Sequence, residues 1–489
     1  MPEFETVIGL EVHSQLLTQS KMFCSCESDY QNSSPNTRTC PVCMGMPGVL
    51  PVINRKAIEL VIKTGLALNC SISEKTKFDR KNYPYPDLMK GYQISQYDMP
   101  IAKNGELEVL TDENNPKTIR VERIHLEEDV AKLLHRNDPN GSKYSLLDIN
   151  RAGIALMEIV THPDMNSAEE ADQYLNSLHA IVRSIGASTA NMEDGSFRCD
   201  ANISTRVKGE SNLGKKVEIK NINSFRSVFR AIKYEEIRQQ KLLTKGEKIT
   251  QETRGWSDER GTTISQRTKE YASDYRYFPE PDLPPIIISQ EWIKEIKSEI
   301  PELPLEKKER FINTYKLPEY DANILVNNIS SSNFFESTIK QFENITERTS
   351  KSIANWINVE GGRLLNEKNI DVEKSRLTPA SLVKLITMLE KNELNSNTAK
   401  TIFDSMYISG GDPAEIAQEM GLIQITDAET IESAIDVVLN NNPEAITDYL
   451  QGKESVIQFL MGQVMKETKG KANPKMAIPS IKEKLEKFK

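Results

Sequence analysis

Four stretches of this chain alternate apolar and polar residues with a period of two, and each sets an acidic side chain opposite its apolar face. In Thr6–His13, Ile8, Leu10 and Val12 share one face, so Glu11 and His13 belong to the other. In Val121–Glu128, Ile124 and Leu126 leave His125 and Glu127 on the far side. Phe197–Ser204 opposes Phe197, Cys199, Ala201 and Ile203 to Arg198, Asp200 and Asn202. Lys216–Asn221 opposes Val217 and Ile219 to Glu218 and Lys220. A sheet built from such strands has one oily face and one wet face, the latter gathering Glu11, His13, Glu127, Asp200 and Glu218. Carboxylates packed that closely repel unless a cation neutralises them or protons stay bound. Oxygen-rich ligation with one imidazole suits a hard divalent ion such as Mg²⁺ or Mn²⁺. The competing reading is four plain amphipathic strands with solvated outer faces, since strand order is not visible in sequence.

A chain of 489 residues exceeds one hydrophobic core, so two to four domains are expected. No apolar run is long enough to cross a bilayer. The first residues, Met-Pro-Glu-Phe-Glu-Thr, lack a basic start and an apolar h-region, which predicts a cytoplasmic protein without a secretory signal. The net charge of −9 argues against indiscriminate coating of nucleic acid. Its distribution is uneven: residues 411–450 hold nine acids and no Lys or Arg, while residues 453–489 hold nine lysines against four glutamates. That basic end reads either as a solvated helical face or as a phosphate-backbone contact surface.

Four of the six cysteines cluster, as Cys24 and Cys26, then Cys40 and Cys43 in Cys-Pro-Val-Cys-Met-Gly. Close pairs in a cytosolic chain suggest a four-thiolate zinc site before disulfides, with an iron–sulfur cluster or unliganded thiols as alternatives. Four thiolates leave no open coordination position, so a zinc ion there is structural.

The chain reads as α+β. Residues 1–295 form a mixed-sheet cradle that carries the wet-face site and, near 24–43, the cysteine insert. Helices are expected at Arg55–Leu68, Ser167–Ile185 and Arg226–Leu242. Residues 296–409 read as a helical domain, and Gly410-Gly411-Asp-Pro as a hinge into a small helical tail domain over 410–489. Two long polar loops, from Lys77 and from Gln251 through Asp274-Tyr-Arg-Tyr-Phe-Pro, mix cations, aromatics and prolines. Gly209–Lys216 nearly spells a P-loop, but Lys216 stands where a metal-binding hydroxyl is required. No Rossmann fingerprint and no nucleophile elbow appear.

Taken in order, these residues resemble the B subunit of the bacterial and organellar Glu-tRNA(Gln)/Asp-tRNA(Asn) amidotransferase. The resemblance rests on Glu5–His13, Lys77–Tyr83, Tyr92–Gln96, Glu127-Glu-Asp, Arg198–Ser204, Glu218–Phe225 and Asp274–Asp282, with Leu460–Lys466 and Gly470–Pro474 in the tail. It implies a C–N bond-forming ligase in which a partner amidase subunit (A) hydrolyses glutamine and passes on ammonia. The B component then uses ATP and Mg²⁺ to phosphorylate the side-chain carboxylate of Glu or Asp misacylated onto tRNA. A small third subunit (C) links the pair, and the tail domain holds the tRNA. By family position Glu11, His13, Glu127, Asp200 and Glu218 would hold the metal, with parity favouring Glu127 over Glu128. Arg80, Lys81, Arg198 and Lys220 are the candidates for phosphate or substrate contact. A non-catalytic RNA-binding scaffold is the alternative.

Overall fold

The computed structural model describes residues 3–111, 115–268, 275–422, 428–468, 472 and 474–488. Asp274 of the second polar loop and Gly470, Lys471 and Asn473 of the tail lie outside the described residues. The predicted α+β architecture is present: a mixed sheet with helices, then an all-helical C-terminal half.

Strands β1 (Phe4–Gln15), β2 (Ser71–Ile72), β3 (Ala102–Leu110), β4 (Pro116–Glu128), β5 (Ala155–Thr161), β6 (Phe197–Val207), β7 (Val217–Lys220), β8 (Glu252–Ser257) and β9 (Thr262–Thr268) form one sheet. Their order is β9-β8-β7-β6-β1-β5-β4-β3-β2, antiparallel throughout except for β7 with β8. The four alternating stretches of the sequence are β1, β4, β6 and β7, and three of them lie side by side. Between β1 and β4 stands β5, Ala-Leu-Met-Glu-Ile-Val-Thr, all seven residues of which are buried. A strand covered on both faces has no need of polar alternation, so its pattern carries no period-two signal.

The oily face is what the pattern predicts. Ile8, Leu10, Val12, Ile124, Leu126, Met157, Ile159, Cys199, Ala201, Ile203 and Ile219 enter a single core. Helices α1 (Arg55–Ala67), α2 (Ala168–Ser184) and α3 (Phe225–Thr244) supply its other side through Val61, Leu175, Leu178 and Ile232. Each helix begins at a side-chain cap: Asn54 accepts from Ala57 N, Ser167 from Glu170 N and Ser224 from Ser227 N. Such caps satisfy amides that the first turn leaves unpaired. The turn after α1 fits tightly against β3, where Glu106 N donates to Leu68 O at 2.8 Å. A Cβ on Gly105 would overlap Cys70 Sγ and stand 2.6 Å from Leu68 O.

The chain divides into compact units at Pro304 and Leu305. Trp292, Ile293, Ile300 and Leu303 pack on the sheet's core, which carries the first unit beyond residue 295. The second unit holds two helical cores, one from Phe311 to Ala417 and one from Ile431 to Leu485. Ile416 and Ala417 belong to the first of these, so that core runs past the Gly410-Gly411 pair. Asp412 caps the helix that carries them, Pro413–Glu419. In the basic tail, Lys484 is paired with Asp436 at 2.5 Å and Lys487 with Glu483 at 3.0 Å. No described helix is long and apolar enough to cross a membrane.

Two stability measurements test this packing. Gly105→Ala should cost about 1–3 kcal/mol in urea unfolding, because backbone and a buried sulfur must move. The second concerns His179 on α2, which meets the rings of Phe197 and Phe225 edge-on at 5.9 and 5.4 Å. Burial, aided by Arg183, pushes its imidazole down from 6.5 to about 4. The unfolded chain therefore takes the proton first, so stability present above pH 6.5 is lost as pH falls towards 4. His179→Phe should flatten the pH dependence of the unfolding midpoint across that window.

Candidate active site

Strand register lays out the wet face in rows. Arg198 on β6, His13 on β1, Glu158 on β5 and His125 on β4 stand side by side across four strands. Two residues along β1, Glu11 faces Asp200 on one side but Val160 on the other. Beyond that valine in the row stands Arg123 on β4, so no acid adjoins Glu11 on that side.

The side chains accordingly fall into two groups. His13 Nε2 lies 3.5 Å from Glu127 Oε1 and 3.4 Å from Glu158 Oε2. Donor atoms of His13, Glu127 and Glu158 are all within 4.8 Å of one another, close enough to share a metal ion. Two carboxylates and one imidazole fit a hard divalent cation. Glu11, Asp200 and Glu218 lie on the same face but are answered by other partners. Asn202 Nδ2 donates to Glu11 Oε1 at 2.8 Å, and Thr253 Oγ1 donates to Glu218 Oε2 at 2.9 Å. Lys220 Nζ stands 3.0 Å from Asp200 Oδ2 and 3.5 Å from Glu218 Oε1.

Electrostatics follow from this crowding. Burial opposes the charge on Glu158, yet the imidazoles of His125 and His13 hold its carboxyl well below the usual carboxylate range. Burial likewise opposes an imidazolium at His13, but Glu158 and then Glu127 outweigh it and hold His13 up at about 9. Burial also works against the Lys220 ammonium, and Asp200 and Glu218 raise it in the same manner. Lys81 projects into an aromatic enclosure, its Nζ 5.0 Å from the Tyr275 ring centre and 5.9 Å from that of Tyr83. Burial works against its charge, and Glu127 more than restores it.

The two candidate arginines each carry a carboxylate partner. Arg80 forms a fork with Glu280, both contacts at 2.7 Å, and its guanidinium stacks 4.3 Å from the Tyr92 ring centre. Arg198 Nη2 donates to Asp129 Oδ2 at 2.9 Å. Asp129, 3 % exposed, also receives Gln15 Nε2 at 2.8 Å, with Arg151 Nε 3.7 Å away. Despite burial, Arg198 and Arg151 hold its carboxyl below the usual range. The run Glu127-Glu128-Asp129 thus sends each acid to a different partner set. Glu128 pairs with Lys90 and accepts Ile94 N at 2.9 Å.

Glu158 and Asp129 are the functional-face acids that period-two reasoning passes over. A lone glutamate inside the apolar run Ala155–Val160 is the signal that marks the first. Asp129 lies just past the end of its strand, where alternation no longer assigns a face.

The cysteine insert also closes on itself. Sγ atoms of Cys24, Cys26, Cys40 and Cys43 lie within 4.8 Å of one another, so the cluster can hold a metal such as zinc. Cys40 and Cys43 sulfurs are 3.9 Å apart. A tetrahedral ion with bonds of about 2.3 Å has ligand edges of roughly 3.8 Å. Cys43 Sγ accepts Cys40 N at 3.1 Å, and hydrogen bonding from Cys24 draws its thiol down to about 5. Gly45, in the left-handed region at φ +65°, lies against the stem of Lys90, whose ammonium pairs with Glu128.

Comparison with known proteins places this geometry in a class. The GatB/GatE catalytic domain family matches residues 6–294, and the GatB domain family matches residues 333–485. The aspartyl/glutamyl-tRNA(Asn/Gln) amidotransferase B subunit of Dehalococcoides mccartyi strain CBDB1 is 52% identical, over 99% of this chain and 100% of that protein. Those of Thermodesulfovibrio yellowstonii and Carboxydothermus hydrogenoformans are 52% and 47% identical, over 97% and 100% of this chain and 98% and 100% of theirs. The chain belongs to the family of aspartyl/glutamyl-tRNA amidotransferase B subunits.

Asp129→Asn should lower stability by about 1–3 kcal/mol in urea unfolding, since Arg198 and Arg151 lose their shared anion. Water takes up part of the loss, because the Arg198 side chain is 35% exposed.

Proposed function

We propose that this chain carries out the ATP-dependent half of tRNA-dependent amidation. Its substrate is Glu-tRNA(Gln), Asp-tRNA(Asn) or both, and its partners are an amidase subunit (A), a small linking subunit (C) and the tRNA itself. The compartment we assign is the cytoplasm. The observation that carries the reading is the group of half-buried His13 with buried Glu127 and Glu158, set on the wet face of a sheet in a chain of this family.

A carboxylate is a poor acyl donor to ammonia until one of its oxygens becomes a good leaving group. Transfer of the γ-phosphoryl of ATP to the side-chain carboxylate of the esterified Glu or Asp supplies that group and releases ADP. Ammonia then attacks the acyl carbon, and phosphate leaves with the carbon–oxygen bond electrons. Bound Mg²⁺ or Mn²⁺ would neutralise the anions that meet during phosphoryl transfer. His13, Glu127 and Glu158 would hold such an ion, with Glu11, Asp200 and Glu218 on the same face. Lys81 and Lys220 place fixed positive charge beside the acids, where it can orient an incoming phosphate. Arg80 and Arg198 remain candidates for phosphate or substrate contact, held in place meanwhile by Glu280 and Asp129. The four-cysteine lobe takes zinc as a structural ion, and the helical tail, residues 428–488 among those described, contacts the tRNA.

Glu158→Gln in the reconstituted complex should reduce transamidation about 100-fold or more while glutamine hydrolysis by the partner persists. Transamidation left at the wild-type level would overturn the assignment of Glu158, and equal loss of both activities would mean failed assembly. Native mass spectrometry should find about one zinc per chain, lost together from Cys24→Ser and Cys40→Ser variants. Folded wild-type protein free of metal would refute the zinc site.

A further inference from the structure

Lys21 poses a problem of charge. Its side chain is fully buried, at 0% exposure, yet among the described residues no carboxylate lies within ion-pair distance of it. Its Nζ instead stands 3.8 Å from Cys43 Sγ and 3.5 Å from Ile149 O. The backbone holds it in that place from two sides. Lys21 N donates to Cys26 O at 2.9 Å, and Asn54 Nδ2 donates to Lys21 O at 3.3 Å. Gly153, at φ +81°, passes close by, where a Cβ would stand 3.6 Å from both Lys21 Cδ and Cys43 Cβ.

A buried ammonium is tolerated only beside an anion. The one group here that can become anionic is the sulfur it faces. Four thiolates around a divalent ion make a doubly negative centre, and a cation at its border relieves that charge. We propose that Lys21 is the counter-charge of the cysteine lobe's metal centre, holding the Cys43 sulfur through an N–H···S hydrogen bond and retarding loss of the ion. Lys21 is a positioning residue: it touches the ligand sulfur and takes no part in amidation. The proposal rests on the zinc reading of the lobe.

The test compares full-length wild type, Lys21→Met and Lys21→Arg by metal readouts alone. Zinc content is measured by native mass spectrometry, and zinc release by transfer to excess pyridylazoresorcinol. Release from Lys21→Met should be about 10- to 100-fold faster than from wild type, with Lys21→Arg close to wild type. In the cobalt-substituted proteins, loss of the N–H···S bond should shift the thiolate-to-metal charge-transfer band in Lys21→Met and leave it in place in Lys21→Arg. Folded Lys21→Met that releases zinc at the wild-type rate with an unshifted band overturns the proposal. Should Lys21→Met fail to accumulate as folded protein, Lys21→Gln replaces it, and equal release from Lys21→Gln and Lys21→Arg overturns it as well. Wild-type protein without zinc removes the zinc reading first, so the two failures are told apart.

Discussion

A buried carboxylate must be answered by positive charge, and Glu158 shows how much of this fold follows from that demand. It sits at 8 % exposure on the interior strand β5, between His13 on β1 and His125 on β4. Only strand order β1-β5-β4 puts an imidazole on each side of it. The lateral register matters equally, because a slip of β5 by one residue would turn Glu158 into the oily core. Helix packing on one face therefore fixes the charge pattern on the other. Hydrophobic burial supplies the bulk of the stabilisation, and the acids ride on a surface whose geometry that burial has already set.

Around this row, charge is distributed so that no acid is left alone. Asp129 is shared by Arg198 and Arg151, Glu128 by Lys90 and the Ile94 amide, and Asp200 is answered by Lys220. Such networks are weak sources of net stability but strong sources of position. What remains is the trio His13, Glu127 and Glu158, the one set of acids and imidazole on this face whose donor atoms converge closely enough to share an ion among the described residues. Nearby, Lys81 is kept charged inside its tyrosine enclosure. A site so arranged has its cationic and anionic parts in place before any ligand arrives.

Much of this was legible in the chain itself. Period-two alternation located β1, β4, β6 and β7 and set Glu11, His13, Glu127, Asp200 and Glu218 opposite the core. The helices expected at Arg55–Leu68, Ser167–Ile185 and Arg226–Leu242 are found at Arg55–Ala67, Ala168–Ser184 and Phe225–Thr244. The spacing of the four cysteines pointed to a shared centre. Neighbourhood across strands was not legible, because pairing is a long-range property that local pattern does not encode. Hence the insertion of β5, the Val160 that stands beside Glu11, and the entry of Glu158 appear only in three dimensions. The commitment of Arg80 to Glu280, 200 residues away in sequence, is of the same kind.

Gly45 ties the cysteine lobe to the acid face through one side chain. Any Cβ at this position would strike Lys90 Cγ, and the ammonium at the end of that stem neutralises Glu128, next in the chain to Glu127. Lobe and strand consequently cannot drift apart independently during divergence. A chimera that transplants the lobe from a relative must import the segment around Lys90 with it, or the graft will collide with the scaffold that aims the neighbouring acid.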